Sequence, residues 1–231
     1  MRKLCDMQHH PGIMSLEVSD LPAHKTPIQV LSIASGYGGM SAQDLYALLR
    51  VVLWIKPKAI FEIGTFQGLT TANLALNSAA QIYTLDLPQD MATDLEGYTP
   101  SDSALLQARD QIGTFYREFN QNGRIRQLFG DSRTFDYAPY YGSIDLVLVD
   151  ACHLYDYVVS DSHHASRLLQ PRGAIVWHDF GNSRDVVRAV QQVAREWPVY
   201  HVEGSNIAFH TRGVAQAAQR TQDDNDGTGA R

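Results

Sequence analysis

The chain has 231 residues, 44% hydrophobic and 19% charged, which suits one soluble α/β domain with a real core. A net charge of −6 argues against a bulk electrostatic grip on nucleic acid, and no run approaches the roughly 20 apolar residues of a membrane span. Two cysteines far apart, Cys5 and Cys152, make no disulfide framework, so a reducing, cytoplasmic setting is expected. The opening MRKLCDMQHHPG is broken by polar residues and Pro11, so no leader is expected.

Residues 1–35 show no sustained period and carry Pro11, Pro22 and Pro27. They read as an irregular arm that packs over a sheet or reaches a partner subunit, which leaves a homo-oligomer open. Ser41 is a good N-cap for a helix over 42–55, whose apolar face is Leu45, Leu48, Leu49, Val52 and Leu53. Pro57 ends that helix, and a strand over 59–63 follows. A glycine turn leads to a helix over 68–78 and a second strand over 81–86. Residues 88–101 form a loop longer than a plain connection needs. A helix near 102–119 precedes a third strand over 124–129. The run 144–149, IDLVLV, is typical of a strand buried on both faces. A helix over 154–169, a turn at Pro171-Arg172-Gly173, a fifth strand over 174–177 and a helix over 183–196 come next. Two short strands, 199–202 and 207–211, joined by Glu203-Gly204-Ser205-Asn206, read as a hairpin. The expected domain is 36–212, with 213–231, rich in Gln, Asp, Gly and Ala, a disordered tail.

The stretch AIFEIGTFQGLTTANLALNSAAQIYTLD, residues 59–86, is strand, glycine turn, helix, strand, acid. That is the layout of a nucleotide-type cofactor site in an open α/β sheet. A dinucleotide fingerprint fails: the register of G-x-G-x-x-G falls on Glu62, Gly64 and Gln67, and Gly68 is one residue late. An acid at the strand end repels pyrophosphate and suits a cationic ligand. The segment resembles motif I of the class I S-adenosylmethionine-dependent methyltransferases. The resemblance implies that Glu62, Gly64, Thr65 and Gly68 line the cofactor and that Asp86 binds its ribose. It also implies a Rossmann-like α/β fold: a seven-stranded, mostly parallel sheet of order 3-2-1-4-5-7-6 with helices on both faces.

Ligands of such sheets bind at the carboxyl ends of the strands. Read in order, those ends carry Glu62 and Gly64, Asp86, Gly130-Asp131-Ser132, Asp150 and His153, then His178-Asp179. Gly130-Asp131-Ser132 resembles the adenine-holding motif, which brings Asp131 and Ser132 into the cofactor set, with Asp150 beside them. Asp150-Ala151-Cys152-His153 and Trp177-His178-Asp179 together resemble the metal-dependent small-molecule O-methyltransferases, of catechol, cephalosporin and macrolide-sugar types. In that family acids at the ends of the fourth and fifth strands bind a divalent ion, which implies Asp150 and Asp179 as ligands. His178 falls where the family usually has aspartate. As a ligand it would move preference from magnesium toward manganese or another transition metal; otherwise it supports the site or the substrate. His153, with an ordinary pKa near 6.5, is the candidate catalytic base.

The expected activity is methyl transfer from S-adenosylmethionine to a hydroxyl of a small molecule, with no nucleic-acid or membrane partner. One alternative is an NAD-linked oxidoreductase with a degenerate fingerprint, which the late Gly68 disfavours. An amino-methylating nucleic-acid enzyme needs Asn/Asp-Pro-Pro-aromatic where this chain has Asp150-Ala151-Cys152-His153. A non-catalytic cofactor-binding protein would leave the acid and histidine cluster without a purpose.

Overall fold

The computed structural model describes residues 12–32, 39–91, 103, 111–117 and 123–212. Its centre is one mixed sheet of eight strands: β1 (Ile13–Leu16), β2 (Ala59–Ile63), β3 (Gln81–Asp86), β4 (Ile125–Phe129), β5 (Ile144–Val149), β6 (Leu169–Trp177), β7 (Val199–Val202) and β8 (Ala208–Thr211). Their spatial order is β1-β7-β8-β6-β5-β2-β3-β4. Counted from β2 onward, this is the expected 3-2-1-4-5-7-6 sheet, with β8 antiparallel to both β6 and β7. The expected seven strands become eight because β1, from the stretch expected to be irregular, pairs in parallel with β7.

Alternation along the strands divides the core into two layers. Ile60, Ile82, Leu146, Leu148 and Val176 face one side, where they meet Leu45, Leu48, Leu49 and Val52 of helix α1 (Ala42–Ile55) and Leu74 of α2 (Leu69–Asn77). Phe61, Ile63, Val147, Val149, Ile175 and Trp177 face the other, against α4 (Tyr155–Leu168) and α5 (Arg184–Val193). The helix expected over 102–119 falls mostly outside the described residues, as do the greater part of the 88–101 loop and residues 213–231; within them it leaves a short turn of helix, α3 (Thr114–Arg117).

Local chemistry sets the element ends. Ser41 Oγ accepts the Asp44 amide at 3.1 Å to start α1. Lys56, at φ +52°, closes it by donating its backbone N–H to Val52 O. The turn expected at Pro171-Arg172-Gly173 lies inside β6. There the pairing with β5 slips, from Ile144 opposite Leu169 to Leu146 opposite Ala174. Proline cannot donate to the ladder, so the strand bulges past it. The segment before α1 is fastened to the helices: buried Arg50 donates to Ala23 O at 2.8 Å and to Thr26 O, and Leu31 N donates to Asn73 Oδ1 at 2.9 Å.

Gly64 leaves β2 at φ +106°, and a Cβ there would lie 2.0 Å from the Asp150 carbonyl oxygen. Backbone cannot yield as a flexible side chain does. Gly64→Ala is therefore expected to destabilise the protein by about 2–5 kcal/mol, from left-handed strain and overpacking together. Urea unfolding of the variant checks this; an unchanged midpoint would contradict the close approach.

Candidate active site

The ladder runs one residue beyond the strands, and this aligns the site. Gly130 N donates to Asp86 O, Gly64 N to Leu85 O, Asp150 N to Ile63 O and His178 N to Val149 O, at 2.8–3.2 Å. Four parallel strands thereby deliver their next residues to one edge of the sheet, where β3 ends on Asp86.

Around the glycine turn, Asp86 acts first on backbone. Its Oδ2 accepts Thr65 N at 3.0 Å and Phe66 N at 2.7 Å, and its Oδ1 accepts Leu87 N at 2.7 Å. Gly68, at φ +80°, packs on Tyr116, where a Cβ would come within 2.5 Å of the ring. Beneath the turn lies Glu62, fully buried. Its Oε2 accepts Thr71 Oγ1 at 2.5 Å and Thr84 Oγ1 at 2.6 Å, while its Oε1 has no partner. Thr65 Oγ1 meets Thr84 Oγ1 at 2.6 Å and accepts Gln127 Nε2 at 2.9 Å, and Tyr116 donates to Gln127 Oε1 at 2.8 Å. Burial pushes the Glu62 carboxyl up to about 8; the two threonine hydroxyls oppose this, and the charges of Asp150 and Asp86 add to it.

At the adenine-type motif, Asp131 Oδ1 accepts Arg133 N at 2.9 Å and Oδ2 accepts the Tyr157 hydroxyl at 3.2 Å. Ser132 is nearly buried, and its carbonyl accepts the Tyr137 hydroxyl at 3.1 Å. Below it, burial pushes the Asp161 carboxyl up to about 7. The Ser132 hydroxyl is close enough to oppose that rise, but no hydrogen bond of good geometry reaches the carboxylate.

The third group gathers the ends of β5 and β6. His153 Nε2 lies 2.7 Å from Asp179 Oδ2. His178 Nδ1 lies 2.9 Å from Asp150 Oδ1 and 3.0 Å from Asp179 Oδ2. Asp179 has φ +56°, a left-handed conformation that aspartate tolerates better than most residues. On its other side, His178 Nε2 faces Asp44 Oδ2 of α1 at 3.3 Å. Burial disfavours a charged His178, but the charge of Asp150 and the bonds to Asp150, Asp179 and Asp44 outweigh it and raise its pKa well above the usual histidine range. Burial likewise works against an ionised Asp179, yet its bonds to His153 and His178 hold the carboxyl far below the ordinary value. Asp44 is held at about 2: burial would raise it, and bonds from His178, Asn206 and Ser41 prevail.

The structure thus gathers Glu62, Gly64, Thr65, Gly68 and Asp86 at the turn, and Asp150, His153, His178 and Asp179 in one cluster. Asp131 and Ser132 form a separate group with Tyr157 and Tyr137. The donor set fits a cation: among the described residues, one ligand atom each from Asp150, His153 and Asp179 lie within 4.8 Å of one another. His178 presents both nitrogens to carboxylates and stands outside that trio. The histidine in that trio is His153. The turn also suits a positively charged cofactor, since the charges of Asp86 and Asp150 lie close to buried Glu62, whose Oε1 is left without a partner.

Several of these groups escape a reading of motifs. Thr84 was findable, because it is a polar residue within a buried strand and stands in register with Glu62 on the neighbouring one. Asp44 sits three residues after Ser41, where it reads as part of a helix cap. Asn206 sits in a hairpin turn. Nothing local signals that either reaches the site.

A methyltransferase-domain family model matches residues 61–180, more than half of the chain and all of this edge. The chain belongs to the methyltransferase-domain family. No curated protein matches it. Among solved structures, the methyltransferase PaMTH1 of Podospora anserina, bound to S-adenosylhomocysteine, is similar with a TM-score of 0.52 at 16% identity, over 73% of this chain and 76% of that one. Cofactor-bound Rv0187 from MTB has a TM-score of 0.52 at 20% identity, over 80% and 84%. A Staphylococcus aureus protein provisionally assigned as a caffeoyl-CoA O-methyltransferase has a TM-score of 0.50 at 15% identity, over 72% and 81%. At these identities the likeness is one of fold. That fold is the Rossmann-like fold of class I S-adenosylmethionine-dependent methyltransferases, and the sheet order of this methyltransferase agrees with it. No helix among its described residues is long and apolar enough to cross a membrane.

Glu62 gives a pH test. Burial raises its folded pKa to about 8, from an ordinary value of 4.5. Its protonated form therefore supports the fold fully below about pH 4.5, and that support is lost as pH rises toward and through about 8. Glu62→Gln keeps an acceptor for Thr71 and Thr84 without a charge. In urea unfolding the variant should gain stability relative to wild type as pH rises across this window. A difference that stays constant with pH would count against a buried, protonated Glu62.

Proposed function

We propose that this methyltransferase moves the methyl group of S-adenosylmethionine to a hydroxyl oxygen of a small molecule, with a divalent ion assisting. The observation that carries the reading is the convergence of Asp150, His153 and Asp179 beside the glycine turn. Bound S-adenosylmethionine supplies an electrophilic methyl on a sulfonium, and a bound divalent ion supplies positive charge that makes a hydroxyl easier to deprotonate.

The chain's own residues would do the rest. Gly64, Thr65 and Gly68 shape a turn that backbone and ligand can approach closely. Asp86 fixes that turn and presents its carboxylate to ribose hydroxyls. Asp131 and Ser132 flank the adenine side. Asp150 and Asp179 hold the ion. His153 would take the hydroxyl proton as the oxygen–carbon bond forms and the methyl's bond to sulfur breaks, leaving S-adenosylhomocysteine, and Asp179, 2.7 Å from the ring, would stabilise the imidazolium that forms. The acceptor's oxygen must line up with the carbon–sulfur bond, so alignment by this rigid sheet edge contributes as much as the proton transfer. The acidic cluster and the net charge of −6 favour a small acceptor over nucleic acid.

A second reading has its own support: the same trio makes His153 an ion ligand rather than a base. His153→Ala separates them. As base, its loss lowers kcat by roughly 10²–10⁴ while the ion stays bound. As ligand, its loss removes the ion, seen by elemental analysis. Near-normal kcat with normal ion content refutes both roles, and full turnover after chelation refutes metal assistance.

Asp86 tests the cofactor assignment. Asp86→Ala removes charge-assisted bonds worth about 1.5–3 kcal/mol each. Calorimetry should show S-adenosylhomocysteine binding weaker by about 2–4 kcal/mol, the sum of two ribose contacts less any replacement by water. Unchanged affinity would remove Asp86 from the cofactor site.

A further inference from the structure

We propose that Asp44 is a positioning residue of this site, setting His178 and, through it, Asp150 and Asp179; the proposal rests on the reading that these two acids hold a divalent ion.

Asp44 lies in the first turn of α1, where an acid ordinarily caps its own helix and faces water. This one is buried, and it bonds distant residues as well as the Ser41 cap. Oδ1 accepts the Asn206 amide at 2.5 Å, and Oδ2 accepts Asn206 Nδ2 at 3.2 Å and Ser41 Oγ at 2.8 Å. Oδ2 also faces His178 Nε2 at 3.3 Å. Capping needs none of the contacts to Asn206 or His178. Asn206 belongs to the turn between β7 and β8, so three remote parts of the chain meet on one carboxylate.

The geometry of imidazole explains the arrangement. Its two nitrogens are fixed relative to each other by the ring. Anchoring Nε2 on Asp44 sets the direction of Nδ1, which reaches Asp150 at 2.9 Å and Asp179 at 3.0 Å. Those acids come from the ends of different strands. A ring held at both ends therefore fixes the spacing of the two carboxylates, and Asn206 in turn stops Asp44 from rotating. Partners that orient ligating groups in this way commonly cost 10–100-fold in metal affinity or activity when removed.

The test uses the full chain and manganese alone as the probe, titrated calorimetrically. Urea unfolding reports whether each variant folds, and 15N spectra report the imidazole of His153. That ring does not bond Asp44 but shares Asp179 with His178, so a purely local role for Asp44 leaves it unmoved. Asp44→Asn should weaken manganese binding by roughly 10–100-fold and shift the His153 resonances in a folded protein. Asn206→Ala, which keeps its backbone amide, should do both to a lesser degree. A folded Asp44→Asn with wild-type manganese affinity and unmoved His153 resonances overturns the proposal. Should Asp44→Asn fail to fold, Asn206→Ala decides by the same two readouts. Should the wild type bind no manganese, the metal reading fails on its own, and the His153 resonances alone decide: shifted they support positioning by Asp44, unmoved they overturn it.

Discussion

The site depends first on how closely β2 and β5 approach where both chains leave the sheet. No side chain fits at residue 64, because the Asp150 backbone occupies the place a Cβ would take. The absence of one atom lets Asp150 N reach Ile63 O and carry the ladder one step past the strands. From that step follow the turn that Asp86 clasps, the position of Asp150 beside it, and the neighbouring place of His178, whose amide bonds Val149 O. A larger residue at 64 would separate the glycine turn from the acid and histidine cluster.

Crowded carboxylates set the second constraint. Asp44, Asp150 and Asp179 all contact one imidazole, and Glu62 lies buried close by. Two different physical responses keep this tolerable. Glu62 is deep enough that desolvation outweighs its hydroxyl partners, and it takes up a proton. Asp44 and Asp179 keep their charge because a cationic ring faces them. One cation among three acids leaves an excess of negative charge at this edge. That excess complements a sulfonium, an ammonium or a metal ion, and it opposes a pyrophosphate.

The sheet was largely legible because buried parallel strands such as IDLVLV and capped amphipathic helices such as 42–55 write themselves in local pattern. The strand β1 was not, since IMSL offers four residues with no clean alternation and its partner lies far along the chain. The bulge in β6 hid behind proline and glycine, which signal a turn and a strand irregularity alike. The strand-end residues stood out because ligands of such sheets have a known edge. Asp44 and Asn206 belong to no strand end; each is local furniture, a cap and a turn, until the fold brings them together. His178 and His153 could be listed but not sorted, because nothing local to either says that His178 turns toward Asp44 while His153 joins the two acids.

The pairing of β1 with β7 has a consequence for how the protein is made. Residues 13–16 leave the ribosome well before their hydrogen-bonding partners, residues 199–202. β1 finds its partner only when that later segment arrives, and Met14 remains half exposed even then. Contacts of such long sequence separation form slowly, because the loop between them must close first. The nascent chain can build the central parallel strands and helices as they appear, but the seam between β1 and β7 closes after them.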